Sequence, residues 1–416
     1  MSEQPTARTC RKTYKEKLRP TPTQERTLEA ILWRCRVLYN TALEQRITAW
    51  ERCHVCLTRS QQEAELKAIR ADFPEYAAIH SHVLQDVLTR LDTTYQAFFR
   101  RVQHGEQPGF PRFQGSSRYH SFTYKEYGNG ARLDNGYLVL SRIGRIAVRW
   151  SHPIEGTIKT VTISNEADGW YVCFSCAEVP TQPLPLTGRE TGIDVGLKVF
   201  LVTADGQMVA NPRHYRKAEQ QLQKAQRRLS RRKLGSKRRK KAVKLLAKRH
   251  QKVRRQRRDF HHKAALLLRQ YDVVYPKDLQ VRNMSRRPAP QPQPAGTGGY
   301  LPNSASAKAG LNKSIQDAGW SAFRGILACK AAYAGKRVEV VPPAYTSQDC
   351  SHVLPDGTIC GERVTKTLSV GTHICPKCGY VADRDENAAR NIQWAGQALR
   401  GVPAVAGALN REPAAL

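Results

Sequence analysis

Carboxylates are the scarce side chains in this sequence: 35 Asp and Glu stand against 68 Lys and Arg, a formal charge of +33 over 416 residues. A surface so short of negative charge attracts polyphosphate. Binding would draw on release of condensed counterions, so affinity should fall steeply with salt. Long apolar runs are missing too. None approaches the ~20 residues of a spanning helix, which excludes a helical membrane protein, and no membrane partner is expected. No signal peptide precedes the first basic segment, so a cytoplasmic, nucleoid-associated location is expected. In that reducing compartment, eleven cysteines argue for metal ligands or free thiols rather than disulfides. The chain exceeds what one hydrophobic core can organise, so two to four domains with a long insertion are expected.

What is present changes period along the chain. Thr21-Pro22-Thr23-Gln24 predicts a helix start, with Thr as N-cap, Pro in the first turn and Gln three residues on. Leu28, Ile31, Leu32, Cys35, Leu38, Ala42 and Leu43 then keep helical spacing, and Val83, Val87, Leu88, Leu91, Tyr95 and Phe98 mark a second helix. From about Phe113 the period becomes two. Hairpin signals at Asn135-Gly136 and Asp168-Gly169 predict a small β-barrel carrying the helical insert. The stretch from Pro180 to Thr191 reads as a linker.

The second half opens with Gly192-Ile193-Asp194-Val195-Gly196 and Val199-Phe200-Leu201-Val202, two adjacent strands with Asp194 on the first. His214 to Arg269, broken at Gly235-Ser236, reads as two helices of extreme basicity. Val243, Leu246, Val253 and Phe260 keep an apolar stripe there, so we expect an ordered hairpin with one face on protein and the other on nucleic acid. A strand at Val273–Tyr275, a low-complexity disordered loop (about 285–310), a helix from about Ser314 to Ala334 and a strand at Val338–Val341 complete an α/β pattern.

Cys375-Pro376-Lys377-Cys378-Gly379 is a metal knuckle, with Gly379 relieving crowding at the turn. Cys350 and Cys360 supply a second pair, so four thiolates would hold structural Zn²⁺. The long spacing of that pair leaves His352 or His373 as replacements for one Cys. Two other Cys-x-x-Cys pairs are set aside: Cys173 and Cys176 fall on opposite faces of a strand, and Cys53 and Cys56 have no second pair nearby.

The succession Gly109-Phe110-Pro111-Arg112-Phe113, Gly192-Ile193-Asp194-Val195-Gly196, Lys277-Asp278-Leu279, Tyr345-Thr346-Ser347-Gln348-Asp349-Cys350, Cys375-x-x-Cys378-Gly379 and Asp383-Arg384-Asp385-Glu386-Asn387-Ala388-Ala389-Arg390-Asn391 resembles the TnpB family over nearly the whole chain. These are transposon-encoded, RNA-guided relatives of type V CRISPR effectors. The resemblance implies a multidomain α+β and α/β protein. Residues 1–185 would form a wedge β-barrel with an inserted helical recognition domain (about 20–105). Residues 186–416 would form an RNase H-like RuvC domain with the basic hairpin (about 212–269) and an inserted zinc ribbon (about 346–381). A guide RNA from the transposon end and double-stranded target DNA would be its partners, and oligomeric state is not legible.

RNase H-type hydrolysis needs three or four carboxylates on two Mg²⁺ ions. Asp194 is the first, and the resemblance selects Asp385 over Asp383, which reads as a helix cap. The family's middle carboxylate is a Glu before Asp-Leu, and here that position is Lys277. Asp278 faces the other way. Two readings stand: a nuclease-inactive, RNA-guided DNA-binding protein, or a carboxylate relocated to Glu339, one strand over. The expectation adopted is an Mg²⁺-dependent RNA-guided DNA endonuclease using Asp194, Glu339 and Asp385. A transposase joining DNA ends is a third reading.

Overall fold

The computed structural model describes residues 9–116, 118–293, 299–367 and 370–401, and the chain divides into two units, Met1–Pro180 and Thr181–Leu416. In the first unit, β1 (Thr9–Arg19) precedes α1 (Pro22–Cys53), α2 (Arg59–Asp72), the one-turn α3 (Pro74–Ala77) and α4 (Ser81–Gln103). Thr21 caps α1 through a reciprocal capping box with Gln24, and the predicted apolar face is buried from Leu28 to Leu43. Helix α2 was not foreseen, because it buries only Gln62 and Leu66.

Strands β2 (Ser121–Tyr124), β3 (Ala131–Asp134), β4 (Tyr137–Leu140), β5 (Gly144–Arg149), β6 (Thr157–Glu166) and β7 (Gly169–Pro180) follow. With β1 they form one antiparallel sheet in the order β2-β6-β7-β1-β5-β4-β3. Asn135 and Gly136 turn between β3 and β4 with φ of 45° and 78°, as an Asn-Gly hairpin requires. The short edge strands β2 and β3 do not pair with each other. The expected closed barrel is therefore an open half-barrel.

The second unit is built on a mixed five-stranded sheet. Strands β8 (Glu190–Val195), β9 (Val199–Thr203) and β10 (Met208–Ala210) run antiparallel in sequence, and β11 (Val273–Pro276) and β14 (Arg337–Val338) add parallel to β8, in the order β10-β9-β8-β11-β14. The basic helices α5 (His214–Ser230) and α6 (Lys237–Leu267) turn through Gly235 at φ 77°. Val253 of the predicted stripe is buried but Val243 is exposed. After β11 come the one-turn α7 (Val281–Met284) and the two-residue strands β12 (Gln291–Pro292) and β13 (Tyr300–Leu301), which pair. Within the loop expected to be disordered (about 285–310), β12, β13 and the start of α8 (Ala305–Ala318) are regular structure, and residues 294–298 lie outside the described residues.

The single helix expected over 314–334 is two helices, α8 (Ala305–Ala318) and α9 (Trp320–Tyr333), broken where Gly319 adopts φ 65°. One sheet face packs Ile193, Phe200 and Val274 against Ala264, Ala265, Phe323 and Leu327 of α6 and α9. The other face carries α10 (Arg384–Leu399), reached through the ladder of β15 (Thr372–Ile374) and β16 (Val381–Asp383). Two glycines let α10 close on the sheet: a Cβ on Gly192 would lie 2.1 Å from the Ala389 carbonyl oxygen, and one on Gly396 2.0 Å from the Tyr275 ring.

Candidate functional site

Parallel register decides which side chains meet. Ile193 pairs with Pro276 across β8 and β11, so the next residues, Asp194 and Lys277, stand side by side on one face. The Lys277 Nζ lies 2.9 Å from Asp194 Oδ1, with the two side chains only 8% and 13% exposed. It also donates to Ser347 Oγ at 3.3 Å. Asp385 joins them from the first turn of α10, whose N-cap is Asp383, accepting from the Asp385 and Glu386 amides. Burial pushes the Asp385 carboxyl above its ordinary range, and the neighbouring charge of Asp194 adds to that rise. The structure thus brings Asp194 and Asp385 together, with the Lys277 ammonium on Asp194.

Glu339 is not brought to this cluster. Val338 pairs with Val274, and Val341 bridges to Lys277, so Glu339 sits level with Tyr275, two residues back from Lys277. Two residues of strand amount to about 6.6 Å. Its carboxylate lies 3.6 Å from Arg400 Nε, within a network where Arg400 also meets Glu190 and donates to the Tyr275 hydroxyl at 2.9 Å. The expected strand at Val338–Val341 is reduced to Arg337–Val338 plus the single Lys277 bridge. Asp278 faces away, bonded to Arg324 at 2.6 Å. Among the described residues, no three carboxylates converge as a metal-binding group. Two Mg²⁺ ions bring four positive charges to a spot with two carboxylates, one of them, Asp194, already paired with Lys277. The residues present do not fit that pair.

The four cysteines do fit a metal. The Sγ atoms of Cys350, Cys360, Cys375 and Cys378 all lie within 4.8 Å of one another. Cys350–Cys378 and Cys360–Cys375 are each 3.7 Å apart. Tetrahedral zinc with ~2.3 Å bonds sets its sulfurs about 3.8 Å apart. Burial opposes the Cys375 thiolate, but backbone N–H groups of Cys378 and Lys377 and the neighbouring thiols bring its pKa to about 7. His352 stacks on Tyr380 instead, and His373 is fully buried against Lys366, so neither replaces a cysteine in the set.

The structure gives the Asn-rich run on α10 a physical role that sequence reading missed. Asn387 donates to the Asp349 carbonyl at 2.8 Å and accepts from the Ser351 amide at 2.9 Å. Asn391 donates to the Thr346 and Asp349 carbonyls at 3.0 and 2.7 Å. The same helix that presents Asp385 therefore fixes the loop that carries Ser347 and Cys350, the first of the four clustered cysteines. Arg400, the C-cap of α10, was missed as well, and no sequence signal marks it.

Residues 174–287 match the OrfB_IS605 family model, described as a probable transposase; residues 320–392 match a Cas12f1-like TNB domain and residues 10–54 a helix-turn-helix domain. In a solved complex of Cas12f1 with sgRNA and target DNA, the Cas12f1 chain superposes with a TM-score of 0.55 at 12% identity, covering 92% of this chain and 99% of that one. The class is therefore the Cas12f-like fold, mixed helices and sheets with a four-cysteine cluster. The chain is 30% identical over 394 residues to the putative RNA-guided DNA endonuclease InsQ of Escherichia coli (strain K12), covering 93% of this chain and 92% of the relative. It is 32% identical over 396 residues to a putative RNA-guided DNA endonuclease of Streptomyces pristinaespiralis, covering 93% and 90%. The chain belongs to the TnpB family of transposon-encoded, RNA-guided nucleases.

Proposed function

We propose that this protein recognises double-stranded DNA under the direction of a guide RNA, and that Lys277 keeps its RuvC-like centre from assembling the metal pair needed for cutting. The observation that carries the reading is the buried Lys277–Asp194 ion pair at 2.9 Å. An ammonium stands where a middle carboxylate would complete the set, and Glu339 is engaged by Arg400. Sheet order β10-β9-β8-β11-β14 with Asp194 on the central strand supports an RNase H-like domain. The names of the two full-length relatives support guide RNA and DNA as partners.

A second reading keeps the centre active: Arg400 releases Glu339, which joins Asp194 and Asp385 on Mg²⁺. Its support is that both relatives, matched over nine-tenths of the chain, are called endonucleases. The two readings part on one comparison in Mg²⁺ with guide-matched DNA. The first expects binding without cutting in the parent, indifference to Glu339→Gln, and metal-dependent cutting after Lys277→Glu. Cutting by the parent that Glu339→Gln abolishes would overturn it, and joining of transposon ends would overturn both.

A further inference from the structure

The first unit contains a hollow that neither the half-barrel nor the metal chemistry uses. It has a volume of about 830 Å³ and opens between the C-terminal end of α1, the segment that follows it, and the C-terminal half of α4. That lies in the size class of small-molecule sites, roughly 300–1,000 Å³. Its walls are aromatic. Tyr95 and Phe99 stack at 6.2 Å between centroids, and Phe110 meets Tyr95 edge-on at 5.9 Å. Rings of this size are normally buried, yet Trp50, Phe99 and Phe110 are 54%, 53% and 50% exposed.

Arg46 on α1 also lines this hollow. Its side chain is 8% exposed; Nε donates to Gln62 at 2.8 Å and Nη1 to Asp92 at 3.2 Å. The third nitrogen, Nη2, is buried and has no acceptor in the protein. A buried, charged N–H without an acceptor is costly to maintain. Here it stands beside π faces, with the guanidinium 5.2 Å from the Tyr95 centroid. Arg59 lines the hollow too, and exposed Arg52, Arg100 and Arg101 lie close to its lining residues in sequence.

Aromatic faces, an unsatisfied guanidinium N–H in the wall and basic flanks are the chemistry that takes up an unstacked nucleobase. The rings accept any base face, the donor meets a base carbonyl oxygen, and the cations meet the backbone phosphates. We infer that this hollow holds one unpaired nucleotide of the RNA that the protein carries. RNA is the occupant because its loops and bulges present unstacked bases without cost, whereas duplex DNA would first have to unpair and flip one. The inference rests on the RNA-guided reading above and adds a specific site to it.

The test uses the ribonucleoprotein as purified from cells expressing the full chain with its transposon end. Irradiation at short ultraviolet wavelength joins stacked bases to aromatic residues, and mass spectrometry of the nuclease-digested, trypsin-digested complex locates the adducts. Ribonucleotide adducts are expected on the peptides Ile47–Arg52 or Leu91–Arg100. Phe99→Ala should cut that adduct and weaken RNA affinity about tenfold, with the melting temperature unchanged because the ring is half exposed. RNA that co-purifies but crosslinks only elsewhere, for instance on α5 and α6, would overturn the site while leaving the RNA-guided reading standing. Absence of co-purified RNA would sink both. Adducts that form only with added DNA and carry deoxyribose would overturn the RNA assignment, as would unchanged RNA affinity in Phe99→Ala.

Discussion

Lys277 and Asp194 are a buried pair, and a buried pair is asymmetric in its energetics. Forming it gains little net, because both ions lose water, but removing one partner strands the other charge. Lys277→Ala should therefore destabilise the second unit by about 3–5 kcal/mol, read as a loss of midpoint in urea unfolding. Asp385 carries the opposite signature. Its carboxyl is pushed up by burial and by Asp194, so the ionised form is worse off folded than unfolded. That penalty is absent below the ordinary carboxylate range and grows as pH rises through the folded pKa. Asp385→Asn should accordingly raise the melting temperature at neutral pH, with the gain disappearing as pH falls towards 4. A gain that persisted unchanged in acid would show that the charge is not its source. These two variants examine the electrostatics of the centre without asking it to cut anything.

At the scale of elements, the ribbon around the cysteines has little apolar core of its own. Its buried cluster is Cys350, Cys360 and Cys375, with Leu354, Cys378 and Tyr380 packed alongside, and among the described residues its only regular ladder is β15 with β16. A zinc ion supplying on the order of 10 kcal/mol in such sites would dominate its folding. The protein should contain one zinc per chain by elemental analysis. A strong chelator, or Cys375→Ser, should raise amide exchange across residues 346–381 while the half-barrel of the first unit stays protected. This ribbon was legible in the sequence because thiolate pairs have one economical use in a reducing compartment. So were α1 and the basic hairpin, through capping residues and helical period. Legibility failed where tertiary context decides. The break at Gly319 looks like a tolerable helical glycine until Asp317 is seen accepting from the Tyr215 and Arg216 amides at the start of α5. Glu339 looked like an intruder in an apolar strand, and only the register with Tyr275 and the reach of Arg400 from the far end of α10 reveal its neighbours. A half-barrel and a closed barrel share one alternating pattern, so edge pairing cannot be read from period two.

The whole molecule is governed by its charge. Helices α5 and α6 expose Arg227, Arg228, Lys237, Arg238, Lys240 and Lys241 near their shared turn, and between His214 and Arg269 only Glu219 and Asp259 are acidic. Like charges at that density repel unless phosphate neutralises them. The hairpin nonetheless keeps Leu222, Ala225, Ala242 and Val253 buried, so it is ordered and presents its cations as a fixed array. A fixed array binding RNA through phosphates should show a linear fall of log affinity with log salt. If 6–10 phosphates are engaged, affinity should drop by about 10³–10⁵ between 50 and 200 mM salt. Neutralising Arg238, Lys240 and Lys241 together to Gln should flatten that slope without changing the melting temperature of the cysteine ribbon. The expected companion result is that protein stripped of RNA aggregates at low salt and regains solubility when RNA is restored. Nucleic acid-free protein that stays monomeric and shows no RNA affinity at moderate salt would refute the role assigned to this hairpin, because +33 of charge would then be a solvated surface and nothing more.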